Sequence, residues 1–268
     1  LGRCLVDDKI YIARHALHFW EEPIISGTKG SGAVFFGGCT MRCVFCQNQK
    51  ISRKPLGETV SVHRLAEIFE ELDLCAENVN LVSPTPYVES IIKALEIYRP
   101  RTVVYNTGGY ETIDTIRKLN GYVDIYLPDL KYVDNDVSNI LSKRKDYFRY
   151  AFSAIDEMCR QIGKPQFDEN GMLKSGVIIR HLVLPSYVEN SIQVLKVFAE
   201  NFKGRALLSL MSQYTPVGVE SIPKLNRTLT PIEYKRVLLE LDRLGITDGF
   251  LQELDSATSD YIPDFRTE

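Results

Sequence analysis

No apolar run in this chain of 268 residues is long enough to cross a bilayer as a helix, and its first residues carry no signal-peptide pattern. Neither sign of charge is in excess. With 32 basic and 35 acidic residues the net charge is −3, and nothing in that balance asks for nucleic acid or an anionic membrane as partner. Six cysteines are too few to staple a disulfide scaffold of this length. There is no repeat of fixed period and no low-complexity tract. These absences argue against a helical membrane span, a disulfide framework, a solenoid and a charge-driven nucleic-acid binder. What remains, 44% hydrophobic and 25% charged, is enough to bury one large core.

Three of the six cysteines are crowded into one stretch, Gly37-Gly38-Cys39-Thr40-Met41-Arg42-Cys43-Val44-Phe45-Cys46, directly after the apolar Ala33-Val34-Phe35-Phe36. Glycines and Arg42 make full burial of such a loop awkward, so the thiols do not read as ordinary core cysteines. Soft sulfur ligands at this spacing can converge on an iron–sulfur cluster. A four-iron cluster needs four ligands, so three cysteines leave one iron open to something that is not protein. A structural zinc would ask for a fourth Cys or His nearby. None lies within the next ten residues, and His63 and Cys75 are the next candidates along the chain. A disulfide plus a free thiol would strain so short a loop. A loop that holds iron must stay reduced, which implies a cytoplasmic setting. The chain starts at Leu1-Gly2-Arg3-Cys4 without methionine, as the remnant of a longer N-terminus would, and Cys4 then belongs to a motif cut away with it.

Residues 1–30 read as a lead-in segment and residues 31–268 as one domain. Lys9-Ile10-Tyr11-Ile12-Ala13 alternates weakly, as a short strand does. His15 to Pro23 follows, with His18, Trp20, Glu21 and Glu22 close together, then a glycine-rich turn region that either leads in or wraps the mouth of a site. An acidic pair beside His18 has the composition of a metal-ligand set, although adjacent side chains point apart. From residue 33 the pattern is strand, helix, strand, repeated. Strands are expected at Val34–Phe36, Asn80–Val82, Thr102–Tyr105, Tyr122–Leu127, Val177–Leu184 and Ala206–Leu210. Ser61 caps the first long helix, which buries Leu65, Ile68, Phe69 and Leu72, and its end places Cys75 in the core. Cys159 reads the same way on a later helix. Thr230, Pro231 and Glu233 form a capping box that opens the last helix, and Gly249-Phe250-Leu251 is a candidate final strand. Between them lies a loop of about twenty residues, a length that often marks a lid. Alternating strands and helices argue for a parallel sheet, doubly wound or curled into a barrel.

Ligands bind beyond the carboxyl ends of such strands. Those ends carry Gly37, Gly38 and the cysteines, then Ser83-Pro84-Thr85, then Asn106-Thr107-Gly108-Gly109. Asp129-Leu130-Lys131 follows, then Arg180 and His181, and finally Ser209, Met211, Gln213 and Tyr214. Alternation lets one of Arg180 and His181 reach the site, and a buried charge favours Arg180.

The C-x3-C-x2-C run, Asn106-Thr107-Gly108-Gly109 and Asp129-Leu130-Lys131 together resemble the radical S-adenosylmethionine (radical SAM) superfamily, and within it the pyruvate formate-lyase activating enzyme and its relatives. The resemblance spans roughly residues 30–215. It implies a partial (β/α)6 TIM-like barrel, parallel strands with outer helices, and the cluster loop after the first strand. It implies a 4Fe-4S cluster on Cys39, Cys43 and Cys46, with S-adenosylmethionine (SAM) on the open iron. Gly37, Gly38, Phe45, Ser83, Thr85, Asn106, Thr107, Asp129, Lys131 and Arg180 become the expected cofactor-binding residues. Met41 and Phe45 would keep the cluster in an apolar shell.

Two departures stand out. The family's Gly-Gly-Glu after the second strand is replaced by Ser83-Pro84-Thr85, and Asn106 stands where an aspartate helps hold a monovalent cation.

The resemblance further implies reductive cleavage of SAM to a 5′-deoxyadenosyl radical that abstracts hydrogen. Flavodoxin or ferredoxin would be the reductant, and a glycyl-radical enzyme or peptide the substrate. Tyr214, Pro216, Gly218 and the following loop would close on a bound segment. Modification of a small metabolite is the alternative. A cluster carrier or electron-transfer protein is the alternative of another class, and would need a fourth ligand such as Cys75 or His63.

Overall fold

The computed structural model describes residues 4–220 and 222–252. Its strands are β1 (Ile10–His18), β2 (Ser31–Phe36), β3 (Glu58–Val60), β4 (Val79–Val82), β5 (Val103–Thr107), β6 (Ile125–Pro128), β7 (Gln166–Phe167), β8 (Leu173–Leu182), β9 (Leu207–Met211) and β10 (Gly249–Leu251). Its helices are α1 (Pro23–Ser26), α2 (Gln49–Ser52), α3 (Val62–Asp73), α4 (Val88–Ile97), α5 (Ile113–Lys118), α6 (Asn135–Ser142), α7 (Tyr147–Ile162), α8 (Val188–Asn201) and α9 (Pro231–Arg243). Among the described residues no helix is long and apolar enough to cross a membrane.

The sheet runs in the order β10-β9-β8-β6-β5-β4-β2-β1-β3. Along this order every pair from β10 to β2 is parallel, while β1 is antiparallel to both β2 and β3 and the short β7, off this path, is antiparallel to β8. Strands β2, β4, β5 and β6 are buried along their whole length, as strands covered by helices on one side and a packed lumen on the other must be. Phe35 of β2 and Phe250 of β10 line one cavity, so the sheet curls until its two flanks face each other. The order ends at β3 on one side and β10 on the other: the barrel is partial. All six expected strands are present, as β2, β4, β5, β6, β8 and β9, with ends displaced by at most four residues.

Helix starts follow their caps. The Ser61 side chain accepts the Arg64 N–H at the head of α3, and Thr230 with Glu233 closes a reciprocal capping box on α9. The expected buried face holds at Leu65, Ile68, Phe69 and Leu72 of α3, and α9 buries Tyr234, Val237 and Leu241.

The lead-in departs most from expectation. The strand read as ending at Ala13 continues to His18 and pairs with β2 from Ile12↔Phe36 to His18↔Ser31. Alternation is blurred there because β1 is only partly buried and bears Arg14 and His15. Running antiparallel to β2, β1 delivers the chain to the amino-terminal end of the half-barrel, where α1 follows. Ile25 of α1 packs against Val104, Ile125, Leu127, Leu173 and Ile178. By two-residue alternation, Val104, Leu127 and Ile178 share the lumenal face with Asn106, Asp129 and Arg180. Helix α1 therefore plugs the lower lumen, and the space above it is left for a ligand.

Three smaller corrections follow from packing. The spacing of Ile113, Ile116 and Leu119 predicts one buried face for α5, yet Ile113, at its first turn, is exposed. Cys75 is exposed too, because α3 stops at Asp73 and the chain turns outward before Ala76 re-enters the core. Tyr214, read as part of a closing loop, is buried, and its hydroxyl donates to the Leu225 carbonyl at 2.8 Å, pinning that loop from inside.

Candidate active site

The cysteine loop leaves β2 through two glycines whose job is crowding. A Cβ on Gly37 would lie 2.5 Å from the Leu56 carbonyl oxygen; one on Gly38, whose φ is +81°, would lie 2.7 Å from Val6 Cγ1. Their amides donate to the carbonyls of Tyr11 and Ile51 at 2.9 and 2.7 Å. Neither glycine lines the cavity; both approach the neighbouring backbone. Beyond them the loop is clamped by the α6–α7 corner. Val44 N–H donates to the Leu141 carbonyl at 2.9 Å, the Arg144 guanidinium donates to the Thr40 carbonyl, and Ser142 Oγ donates to Cys43 Sγ at 3.2 Å.

Cys39, Cys43 and Cys46 all line one cavity of about 680 Å3, with Met41 and Phe45 as its apolar shell. Burial raises the Cys39 thiol, and burial followed by the neighbouring Cys43 and Cys39 pushes Cys46 up to about 12. Bare thiolates are thus disfavoured here, and a cationic metal centre is what would hold them ionised. Among the described residues no three His, Cys, Asp or Glu side chains stand close enough to share a single metal ion. His63 and Cys75 lie exposed and away from the cavity, so neither supplies a fourth ligand.

Opposite the thiols stands a hydrogen-bonded polar set from four strands and the β1–α1 turn. Arg180 Nε bonds Asp129 Oδ1 at 3.0 Å, Nη1 bonds Glu21 Oε2 at 3.2 Å and Nη2 bonds Asn106 Oδ1 at 2.6 Å. Lys131 Nζ pairs with Asp129 Oδ2. Glu21 Oε1 accepts from Asn80 Nδ2 at 3.0 Å and Asn106 Nδ2 at 3.2 Å. Burial alone would raise Asp129, but Lys131 and Arg180 outweigh it and hold the carboxyl below its ordinary range. Lys131 is raised despite burial by Asp129 and then Cys43, and its side chain lies with Met41 of the cysteine loop over Gly108.

Ser83, Asn106, Thr107, Asp129, Lys131 and Arg180 all line the cavity, as expected from the strand ends. Arg180 faces in and His181 faces out, where its Nδ1 and Nε2 meet the Leu130 carbonyl and Ser191 Oγ at 2.8 and 2.9 Å. Burial drives His181 down to about 4. Thr85 does not reach the cavity. Its hydroxyl donates to Glu111 Oε1 at 2.6 Å, as do those of Thr107 at 2.6 Å and Tyr105 at 3.2 Å. Buried behind the site, Glu111 is pushed up to about 7 by desolvation, against those three hydrogen bonds.

Glu21 and Glu22 were not among the expected site residues, yet both line the cavity, with His18 and Trp20. The available signal was two acids inside the apolar run Phe19-Trp20-Glu21-Glu22-Pro23-Ile24-Ile25. Adjacent side chains were expected to point apart; the turn into α1 brings both to the lumen.

Residues 33–195 match the radical SAM superfamily. An uncharacterized protein of Methanocaldococcus jannaschii is 32% identical over 248 residues, 88% of this chain and 68% of its own length. Among solved structures, SuiB of Streptococcus suis bound to S-adenosylmethionine superposes with a TM-score of 0.55 at 14% identity, over 80% of this chain and 47% of SuiB. HydG, a maturase of the FeFe-hydrogenase, superposes with a TM-score of 0.56 at 14% identity, over 84% of this chain and 52% of HydG. The chain spans about half the length of these two structures, and at such identity the likeness is one of fold.

Proposed function

Because the chain belongs to the radical SAM superfamily, whose cofactors are a 4Fe-4S cluster and S-adenosylmethionine, we propose that it abstracts hydrogen from a substrate held in this cavity. One observation carries the reading: three clustered thiols and the Asn106–Asp129–Lys131–Arg180 set face one another across one buried space at the carboxyl ends of parallel strands. When bound, cluster and SAM supply a reductive cleavage that yields methionine and a 5′-deoxyadenosyl radical.

The protein's share is positioning and exclusion of water. Cys39, Cys43 and Cys46 would hold three irons. Met41 and Phe45 keep water from the cluster face, which bears on its potential. Lys131, next to Cys43 and tied to Asp129, offers a fixed cation to a carboxylate bound beside the cluster. Asn106 offers an amide where related proteins carry a charged aspartate, so a monovalent cation would meet one charge fewer. Ser83 offers a hydroxyl where the family's Gly-Gly-Glu would offer a carboxylate.

A small substrate is the finer reading favoured here. The cavity has the size of a small-molecule site and α1 closes its floor. Activation of a glycyl-radical enzyme, or modification of a peptide, is the second reading and rests on the motif resemblance. The loop expected to grip a peptide is held by buried Tyr214. A flavodoxin or ferredoxin is the reductant this chemistry asks for.

Anaerobically reconstituted protein, reduced with dithionite and given SAM, is expected to release 5′-deoxyadenosine. A fully loaded cluster that binds no SAM and releases none would sink the enzyme reading in favour of a cluster carrier. Deuterium transferred into 5′-deoxyadenosine from a labelled metabolite fraction supports the small substrate, and transfer only from a labelled protein fraction supports the activase.

A further inference from the structure

Three carboxylates and two permanent cations line the cavity, and their pairing leaves one carboxylate over. Arg180 is bonded to Glu21 and Asp129, and Lys131 to Asp129. His18 adds no charge to the balance, since burial lowers its affinity for a proton. The remainder is Glu22. It is 8% exposed, and its Oε2 makes no hydrogen bond. The residue stands at the N-cap of α1 but its side chain makes no capping bond, so the simplest structural task is not the one it performs. A buried carboxylate oxygen without a donor is costly, and persists where something else supplies the donor.

We propose that Glu22 is the recognition point for a cationic nitrogen of the substrate, an alkylammonium group that reaches the cavity floor. This deepens the proposed function and rests on it only for the word substrate; the charge imbalance stands by itself. Position separates this role from SAM binding. Lys131 lies with Met41 of the cysteine loop over Gly108, whereas Glu22 stands at the head of α1 on the cavity floor. A ligand held at the cysteine side would leave the floor beside Glu22 to a second molecule. Desolvation raises Glu22 despite the opposing pull of Arg180, and an incoming ammonium would reverse that by donating to Oε2 where water is scarce. Trp20, half exposed, lines the same cavity.

The test is equilibrium dialysis of radiolabelled n-butylammonium against anaerobic, cluster-loaded protein, with and without saturating SAM, using n-butanol and butyrate as neutral and anionic counterparts. Saturable binding of the ammonium alone is expected, undiminished by SAM. Glu22→Gln should weaken it more than tenfold, since a charge-assisted bond is lost, while Glu22→Asp should restore part of the affinity and serves if Glu22→Gln does not load a cluster. Equal binding by Glu22→Gln, equal binding of butyrate, no binding by the wild type, or displacement of the ammonium by SAM would each overturn the assignment. The last would give Glu22 to the amino group of SAM. Release of 5′-deoxyadenosine, measured separately, keeps failure of this inference apart from failure of the enzyme reading.

Discussion

Glu111 gives the sharpest quantitative expectation. Its carboxyl is 2% exposed, three hydroxyls donate to Oε1, and Oε2 has no partner. Desolvation outweighs the hydrogen bonds and moves it from 4.5 to about 7. The folded state therefore binds this proton more tightly than the unfolded chain does. Stability is highest below the unfolded value and falls as pH rises from 4.5 to about 7, then levels off. At about 1.4 kcal/mol per pH unit, the loss is about 3 kcal/mol. Glu111→Gln mimics the protonated form: its carbonyl oxygen still accepts from Thr85, Thr107 and Tyr105, and its amide nitrogen takes the place of the unpartnered oxygen. Wild type and variant should be nearly equal in stability at about pH 4, and the variant should be the more stable by about 3 kcal/mol at about pH 8.5. Urea unfolding of the cluster-free chain, followed by circular dichroism at a series of pH values, reads the difference directly. A wild-type-minus-variant difference that stays flat across that range, or slopes the other way, would refute the reasoning.

The remaining predictions concern the two walls of the cavity. Cys39→Ala, Cys43→Ala and Cys46→Ala should each abolish the absorbance of the reconstituted cluster and the release of 5′-deoxyadenosine, whereas Cys75→Ala, at an exposed turn, should keep both. Loss of the cluster in Cys75→Ala together with its retention in Cys39→Ala would overturn the ligand set. Arg180→Met should cost about 3–5 kcal/mol in urea unfolding near neutral pH, because Glu21 and Asp129 are left buried without their shared cation. Arg180→Lys should recover only part of that, since an ammonium cannot reproduce the three-way fork to Glu21, Asp129 and Asn106.

Much of this protein is local in origin. The cysteine spacing declares its chemistry because three soft ligands so close together have few other uses, and the superfamily match bears that out. Six strands, the Ser61 cap and the Thr230–Glu233 capping box were readable because periodicity and capping are settled within a few residues. So was the inward turn of Arg180, since alternation along a strand allows only one of two neighbours to face the lumen. Tertiary structure decided what depends on partners distant along the chain. The strength of β1 comes from pairing with β2 and β3 on both sides rather than from its weakly alternating sequence. Thr85 was lost from the cavity to Glu111, twenty-six residues on, and Gly37 and Gly38 to the backbones of Leu56 and Cys4. Glu21 and Glu22 reached the site because α1 plugs the half-barrel, which brings them within reach of Arg180 from across 159 residues of chain. No local pattern encodes a lumen: a cavity floor exists only once the sheet has curled, and the charge left over on it can be counted only there.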